Sequence, residues 1–284
     1  MRGRWWAGLV SAILMAATLA PPVVSAVGGA SSTVVAPGAR AMWVGGQQAP
    51  DEVIAWANAQ NVTEIFVYAA STVATDGSLP RLRELSSRAA AAGVKLRALG
   101  GEPGWASDHA SAMAWQKAIT ATGLFSGIHL DVEPYLSSGW ISDQEATKVG
   151  YLGMLDKMRG PLPVETDVPF WYGQFKVGGK NLADEVLKRV SAVTVMSYRD
   201  TATGTNSMFA VSQDWLKRGA ATGKRVRLGA EIDPIADCGY CSFAEEGARR
   251  MTTVLAQLDT AARTSPAYAG VAVHRYGSWR VLRP

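Results

Sequence analysis

Eight short apolar runs punctuate the chain, most of them separated by a stretch with helical spacing. The runs predict strands over Ala41–Gly46, Glu64–Ala70, Val94–Gly100, Gly127–Glu133, Val164–Phe170, Ala192–Tyr198, Arg225–Ile232 and Gly270–Tyr276. The intervening pattern, with apolar positions three and four apart, predicts helices over Pro50–Ala59, Pro80–Ala92, Ser107–Thr122, Asp143–Arg159, Leu182–Val190, Ser212–Thr222 and Ala244–Ala262. Strand and helix in alternation argue a parallel sheet with crossover helices. Eight such units closing on themselves make an α/β fold of the (β/α)8 TIM-barrel type, in one domain, with its active site at the carboxyl ends of the strands. A doubly wound open sheet is the competing arrangement. That fold carries a Gly-rich phosphate loop, and none opens the first helix here.

Alternation also assigns faces. In an extended strand successive side chains point to opposite sides, so Ile128, Leu130 and Val132 share one face while His129, Asp131 and Glu133 share the other, and Pro134 stops the run. A barrel needs its helix-facing side apolar, which leaves the acidic side pointing to the axis. The same rule turns Glu165 and Asp167 inward in the fifth strand, Met196, Tyr198 and Asp200 in the sixth, Arg227, Glu231 and Asp233 in the seventh, and His274 and Tyr276 in the eighth. Tyr68 and Glu102 close the second and third. One charged strand end is usually a solvated rim, but many converging on one mouth mark a site. His129 and Arg227 lie deeper and are expected to hold carboxylates such as Glu165 or Asp131 by buried hydrogen bonds.

The first 26 of the 284 residues read as a secretory signal, with Arg2 and Arg4, an apolar run over Ala7–Leu19 broken by Pro21-Pro22, and small residues at Val24-Ser25-Ala26. Residues 27–40 are small and polar, a flexible lead-in, and 41–284 form the barrel. No stable membrane span remains after cleavage, and the expected product is extracellular and monomeric. The net charge of +4 comes from scattered Lys and Arg without the run a nucleic-acid groove needs. The two cysteines, Cys238 and Cys241, read in an exported chain as a short-loop disulfide. The three histidines are far apart in sequence, so no metal and no cofactor are assigned. Ten tryptophans include Trp105, Trp140, Trp171 and Trp279 just after predicted strands, where flat faces suit sugar rings.

Gly127-Ile-His-Leu-Asp131-Val-Glu133 resembles the fourth-strand motif of glycoside hydrolase family 18, the chitinase-like barrels, whose Asp-x-Asp-x-Glu ends in the general acid. Met196-Ser197-Tyr198 is similar to that family's sixth-strand Met-x-Tyr, and Trp279 sits where its eighth-strand tryptophan floors the sugar site. The resemblance implies a TIM barrel that cleaves a polysaccharide or glycan, with Glu133 as acid, Asp131 ionised and orienting, and Tyr198 donating to a ring substituent. Tyr68, Glu102, Asp167, Trp171, Asp200, His274, Tyr276 and Trp279 would bind the substrate. Two positions depart from it: His129 stands where the middle aspartate would be, and Arg199 follows Tyr198 where an aspartate is usual. A second resemblance competes. Glu133-Pro134 and Glu231 are similar to the acid/base and nucleophile of the large retaining clan of barrel glycosidases, with Val132 in place of that motif's asparagine. Two other classes stay open, a non-catalytic carbohydrate-binding barrel and a hydrolase with metal-bound water held by His129, Asp131 and His274.

Overall fold

A computed structural model describes residues 38–284, and the expected signal sequence over 1–26 and most of the expected lead-in lie outside the described residues. Eight parallel strands, β1 (Arg40–Val44), β2 (Val62–Tyr68), β3 (Lys95–Gly100), β4 (Gly127–Leu130), β5 (Val164–Pro169), β6 (Ala192–Met196), β7 (Arg225–Glu231) and β8 (Tyr268–His274), follow one another around a closed barrel. Closure rules out the open sheet, since β1 pairs with β8 through Arg40 and Val271, Ala41 and Ala272, and Met42 and Val273. Helices α1 (Pro50–Ala59), α2 (Leu79–Ala91), α3 (His109–Thr122), α4 (Gln144–Lys157), α5 (Leu182–Leu187), α6 (Met208–Thr222) and α7 (Gly247–Ala262) link the strands, and α8 (Tyr276–Val281) follows the last. No helix of the described residues is long and apolar enough to cross a membrane.

Local chemistry sets the helix ends. Asp108, Asp143, Asn181 and Ser207 each accept a backbone N–H of the first turn, satisfying donors that the helix itself leaves open. Gly123 closes α3 and Gly223 closes α6 at φ 66°, the left-handed turn that only glycine makes without strain. The outward strand residues Ile128, Leu130, Val226, Leu228 and Ala230 are fully buried against the helices. Two indoles then pin helices to strand ends. Trp115 Nε1 donates to the Ala69 carbonyl at 2.7 Å, and Trp215 Nε1 to that of Pro169 at 3.1 Å.

Every strand but β3 stops one to three residues earlier than the apolar runs suggest, and at β4, β6 and β8 this moves the site. β4 ends at Leu130, although Asp131 N–H still donates to the Gly100 carbonyl at 3.0 Å, so Asp131 keeps its strand orientation. β6 ends at Met196 and β8 at His274, where the chain turns into α8. Tyr276 is therefore a helix residue rather than an inward strand residue.

Candidate active site

The barrel axis is filled by charge. Barrels of this class usually stack branched apolar side chains there, but here Arg227 donates to Glu165 at 3.0 Å and to Glu64, and Arg97 lies 3.2 Å from the same Glu165 oxygen. His129 Nδ1 meets Glu165 Oε1 at 2.9 Å, and its Nε2 meets Asp167 Oδ1 at 2.9 Å. The imidazole stacks on Phe66 with centroids 3.6 Å apart, and Arg227 covers the same ring at 5.3 Å. Burial alone would push the imidazolium down, but Asp167 and Glu165 overcome it and lift His129 to about 9. For Glu165 burial acts upward, and the facing Arg227, His129 and Arg97 hold the carboxyl well below its usual range. Alternation had turned His129 and Arg227 toward this carboxylate, and Glu165 holds both.

Above this floor stand Asp131 and Glu133. Gly101 lets them in: a Cβ there would lie 2.3 Å from the backbone carbonyl of Asp131. Burial, then the negative charges of Asp167 and Glu133, push Asp131 up to about 8. Burial likewise raises Glu133, against an opposing hydrogen bond from the Tyr135 phenol. Burial and the neighbouring charges thus favour the protonated form of both carboxyls, in the direction opposite to the expectation that Asp131 stays ionised. Tyr198 joins the group from the end of β6. Its phenol is raised by burial first and then by Glu231, Asp167, Asp131 and Glu133, the mark of a hydroxyl set among four carboxyl groups. Gly229 makes room for it, since a Cβ would come within 3.1 Å of the ring.

Glu231 is placed beside His274 by strand pairing, and its oxygens are engaged. Oε1 accepts the N–H of Ile232 at 2.7 Å and of Asp233 at 2.8 Å, while Oε2 meets His274 Nδ1 at 2.8 Å. Burial works against a charged His274, but Glu231, together with Asp167 and Asp131, outweighs it and the net direction is upward. Glu231, Asp233 and His274 offer one ligand atom each within 4.8 Å of one another. Those groups already serve partners of their own, Asp233 being held by Arg275 at 3.1 Å, and we assign no metal to them.

Several expected substrate groups lie elsewhere. Trp279 is buried in α8, edge-on to Trp56 of α1 at 5.8 Å, so it packs the helix layer and offers no open floor to a sugar. Tyr276, 1% exposed, is packed in the core with its ring against Arg280. Asp167 is 3% exposed and faces His129 and Trp43 instead of the cleft. Trp105 is buried against Trp115. Tyr68 and Glu102 are exposed at the ends of β2 and β3, and the half-buried Asp200 donates its N–H to the Tyr240 carbonyl at 2.9 Å. Cys238 and Cys241 form a disulfide, and the loop they close lies against Arg199, whose guanidinium sits 5.4 Å above the Tyr240 ring.

Two site residues escaped the pattern reading. Trp43 of β1 donates to Asp167 Oδ2 at 3.2 Å and stands edge-on to both His129 and His274. Tyr135 follows Pro134 and holds Glu133. With Trp171 at 5.1 Å and Trp140 at 6.4 Å, Tyr135 also begins an aromatic wall next to the acid pair.

No protein-family model and no curated protein matches the sequence. Solved structures match the fold. The spore cortex-lytic enzyme SleL of Bacillus megaterium aligns at a TM-score of 0.55 and 13% identity over 86% of this chain and 73% of that one. A chitinase of Chromobacterium violaceum aligns at 0.53 and 12% identity over 85% and 96%. The GH113 β-mannanase of Alicyclobacillus acidocaldarius aligns at 0.55 and 10% identity over 84% and 86%. At these identities the likeness is one of fold, a barrel shared with glycan-cleaving enzymes.

Proposed function

We propose that the chain is an exported glycoside hydrolase acting on a polysaccharide or glycan, with Glu133 as general acid. One observation carries the reading: two neighbouring carboxyl groups just past the end of β4, both raised by burial, with the Tyr135 phenol bonded to Glu133 and the Tyr198 phenol within reach of their charge. A glycosidic oxygen is a poor leaving group until protonated, and a carboxyl that keeps its proton toward neutral pH supplies that proton. As the bond breaks, the sugar's anomeric carbon gains positive charge. Asp167, and Glu133 as it gives up its proton, then present negative charge to a centre that becomes cationic only in the transition state. Trp171, half-buried in the aromatic wall, takes the stacking role that Trp279 cannot.

Between the two catalytic readings, the engaged oxygens of Glu231 favour the chitinase-like one. A nucleophilic carboxylate needs a lone pair free to face the anomeric carbon, and Glu231 spends its lone pairs on two backbone amides and an imidazole. Asp131 and Tyr198 meet no such obstacle, and suit a mechanism in which a substituent of the substrate itself attacks. The disulfide supports export, because such bonds persist in oxidising compartments.

The test is hydrolysis of a broad polysaccharide and glycan panel by the purified chain, with and without a chelator, beside the Glu133→Gln variant. Loss of about a hundred- to ten-thousand-fold in kcat with glycan binding retained is expected. More than a tenth of the wild-type kcat in the variant would overturn the assignment, binding without turnover in either protein would favour the carbohydrate-binding barrel, and loss of activity with chelator would favour a metal hydrolase.

A further inference from the structure

The pairing of β4 with β5 sets His129 beside Glu165 and Leu130 beside Thr166. One step further along both strands, Asp131 comes beside Asp167, both turned to the axis. Asp167 has no open face. Its Oδ1 is met by His129 Nε2 at 2.9 Å and its Oδ2 by the Trp43 indole at 3.2 Å, so a sugar reaches neither oxygen. The imidazole below has a carboxylate on each ring nitrogen, which requires both nitrogens to donate and makes it an imidazolium. Beneath that, Arg227 and Arg97 answer Glu165 and Glu64. The cations of the axis thus end at His129, and Asp167 is the last anion before the mouth. Among the described residues Asp131 has no ion-pair partner of its own.

We propose that Asp167 is a positioning residue for the acid pair, a fixed anion held under the mouth by His129 and Trp43 that keeps a proton on Asp131 and Glu133 in the resting site. The groups that face Asp131 support this balance. On its own segment are Glu133 and His129, from β5 comes Asp167, and from β8 comes His274. The phenols of Tyr135, Tyr151 of α4 and Tyr198 complete the ring, and on the β3 side the backbone of Gly101 packs directly on it. Of these, Asp167 and Glu133 favour the proton on Asp131, and the two histidines oppose it. Asp167 also raises Glu133. Because Asp167 touches no substrate, its contribution acts wholly through the pair above it.

The catalytic meaning of this proposal rests on the acid-base reading of Glu133, but its test does not need turnover. In the full chain labelled with 13C at the aspartate carboxyls, one signal is expected to titrate near pH 8, identified by its absence from Asp131→Asn. In Asp167→Asn that signal should move down by about one pH unit or more, and in Asp167→Glu it should stay high because the charge is kept. His129→Gln removes the opposing cation, so the signal should move up. An Asp131 signal that titrates in the ordinary carboxylate range in the wild type overturns the proposal at once. So does one that is unmoved in a folded Asp167→Asn, and if that variant does not fold, an unmoved signal in His129→Gln decides the same way. Where hydrolysis is found, the alkaline limb of kcat/KM should follow the same directions. Movement of the signal in a chain that cleaves no glycan would leave this proposal standing and remove the hydrolase reading instead.

Discussion

Replacing Asp131 by asparagine is expected to make the protein more stable, by an amount that grows as pH rises from about 4 to about 8. The carboxyl is pushed up to about 8 by burial and by its anionic neighbours, whereas in the unfolded chain it ionises near pH 4. The folded state therefore binds a proton that the unfolded state has already lost. A group raised in the folded state contributes stability that is fully present below the unfolded pKa and is lost as pH rises through the folded one. For Asp131 that window runs from about pH 4 to pH 8, and at 1.36 kcal/mol per pH unit the loss is bounded at about 5 kcal/mol. Relaxation and water entry reduce the realised figure to half of the bound or less, on the order of 1–3 kcal/mol. Asparagine has nearly the same shape and no proton to lose. In a domain of this size about 1 kcal/mol moves Tm by about 2–4 °C. Thermal unfolding by circular dichroism should show Asp131→Asn within about 2 °C of wild type at pH 5 and higher by about 2–12 °C at pH 9. A Tm difference that is constant from pH 5 to pH 9, or a variant that is less stable at pH 9, would refute the buried-proton argument.

Tyr135→Phe removes the hydrogen bond that opposes the upward push on Glu133. Glu133 should then hold its proton to higher pH, moving the alkaline limb of the pH–rate profile upward, and a downward movement would contradict the assigned donor. Glu231→Ala should leave more hydrolysis than Glu133→Gln does and should yield no glycosyl azide when azide is added. An azide product, identified by mass spectrometry, would restore Glu231 as the nucleophile.

The strands were legible because each carries its period of two on a buried outer face, as Val226, Leu228 and Ala230 do in β7. Asp131, Glu133 and Asp167 were found on the opposite face by the same rule. The rule fails where the strand stops. Counting extended residues past His274 sent Tyr276 to the axis, and the family resemblance set Trp279 on the floor of the sugar site, but the chain becomes helical at Tyr276 and carries Trp279 around to Trp56. Trp43 was hidden for another reason. It lies in Ala41-Met42-Trp43-Val44, where both faces are apolar and alternation carries no sign. Tyr135 follows Pro134 into a short turn, beyond any periodicity. Nor does sequence show that Asp167 is sealed from the cleft, because that depends on an indole from β1 and an imidazole from β4 meeting across the axis.

The ionic axis is not what an argument from stability alone would choose. Taking Glu64, Glu165, Asp167, Arg97, Arg227 and His129 out of water costs several kcal/mol per ion, and their mutual attraction offsets this only when geometry is good. Apolar side chains of similar volume, the usual filling of such barrels, would be neutral or better for stability. What apolar side chains cannot do is hold a negative charge at a chosen height. Here the stack of alternating charges fixes Asp167 between an imidazolium below and the acid pair above, where solvent does not screen it. On the proposed reading, the same anion that keeps the pair protonated at rest also lies beneath the positive charge that grows as a glycosidic bond breaks. A single buried carboxylate thus favours both the proton donor before the reaction and the cation during it.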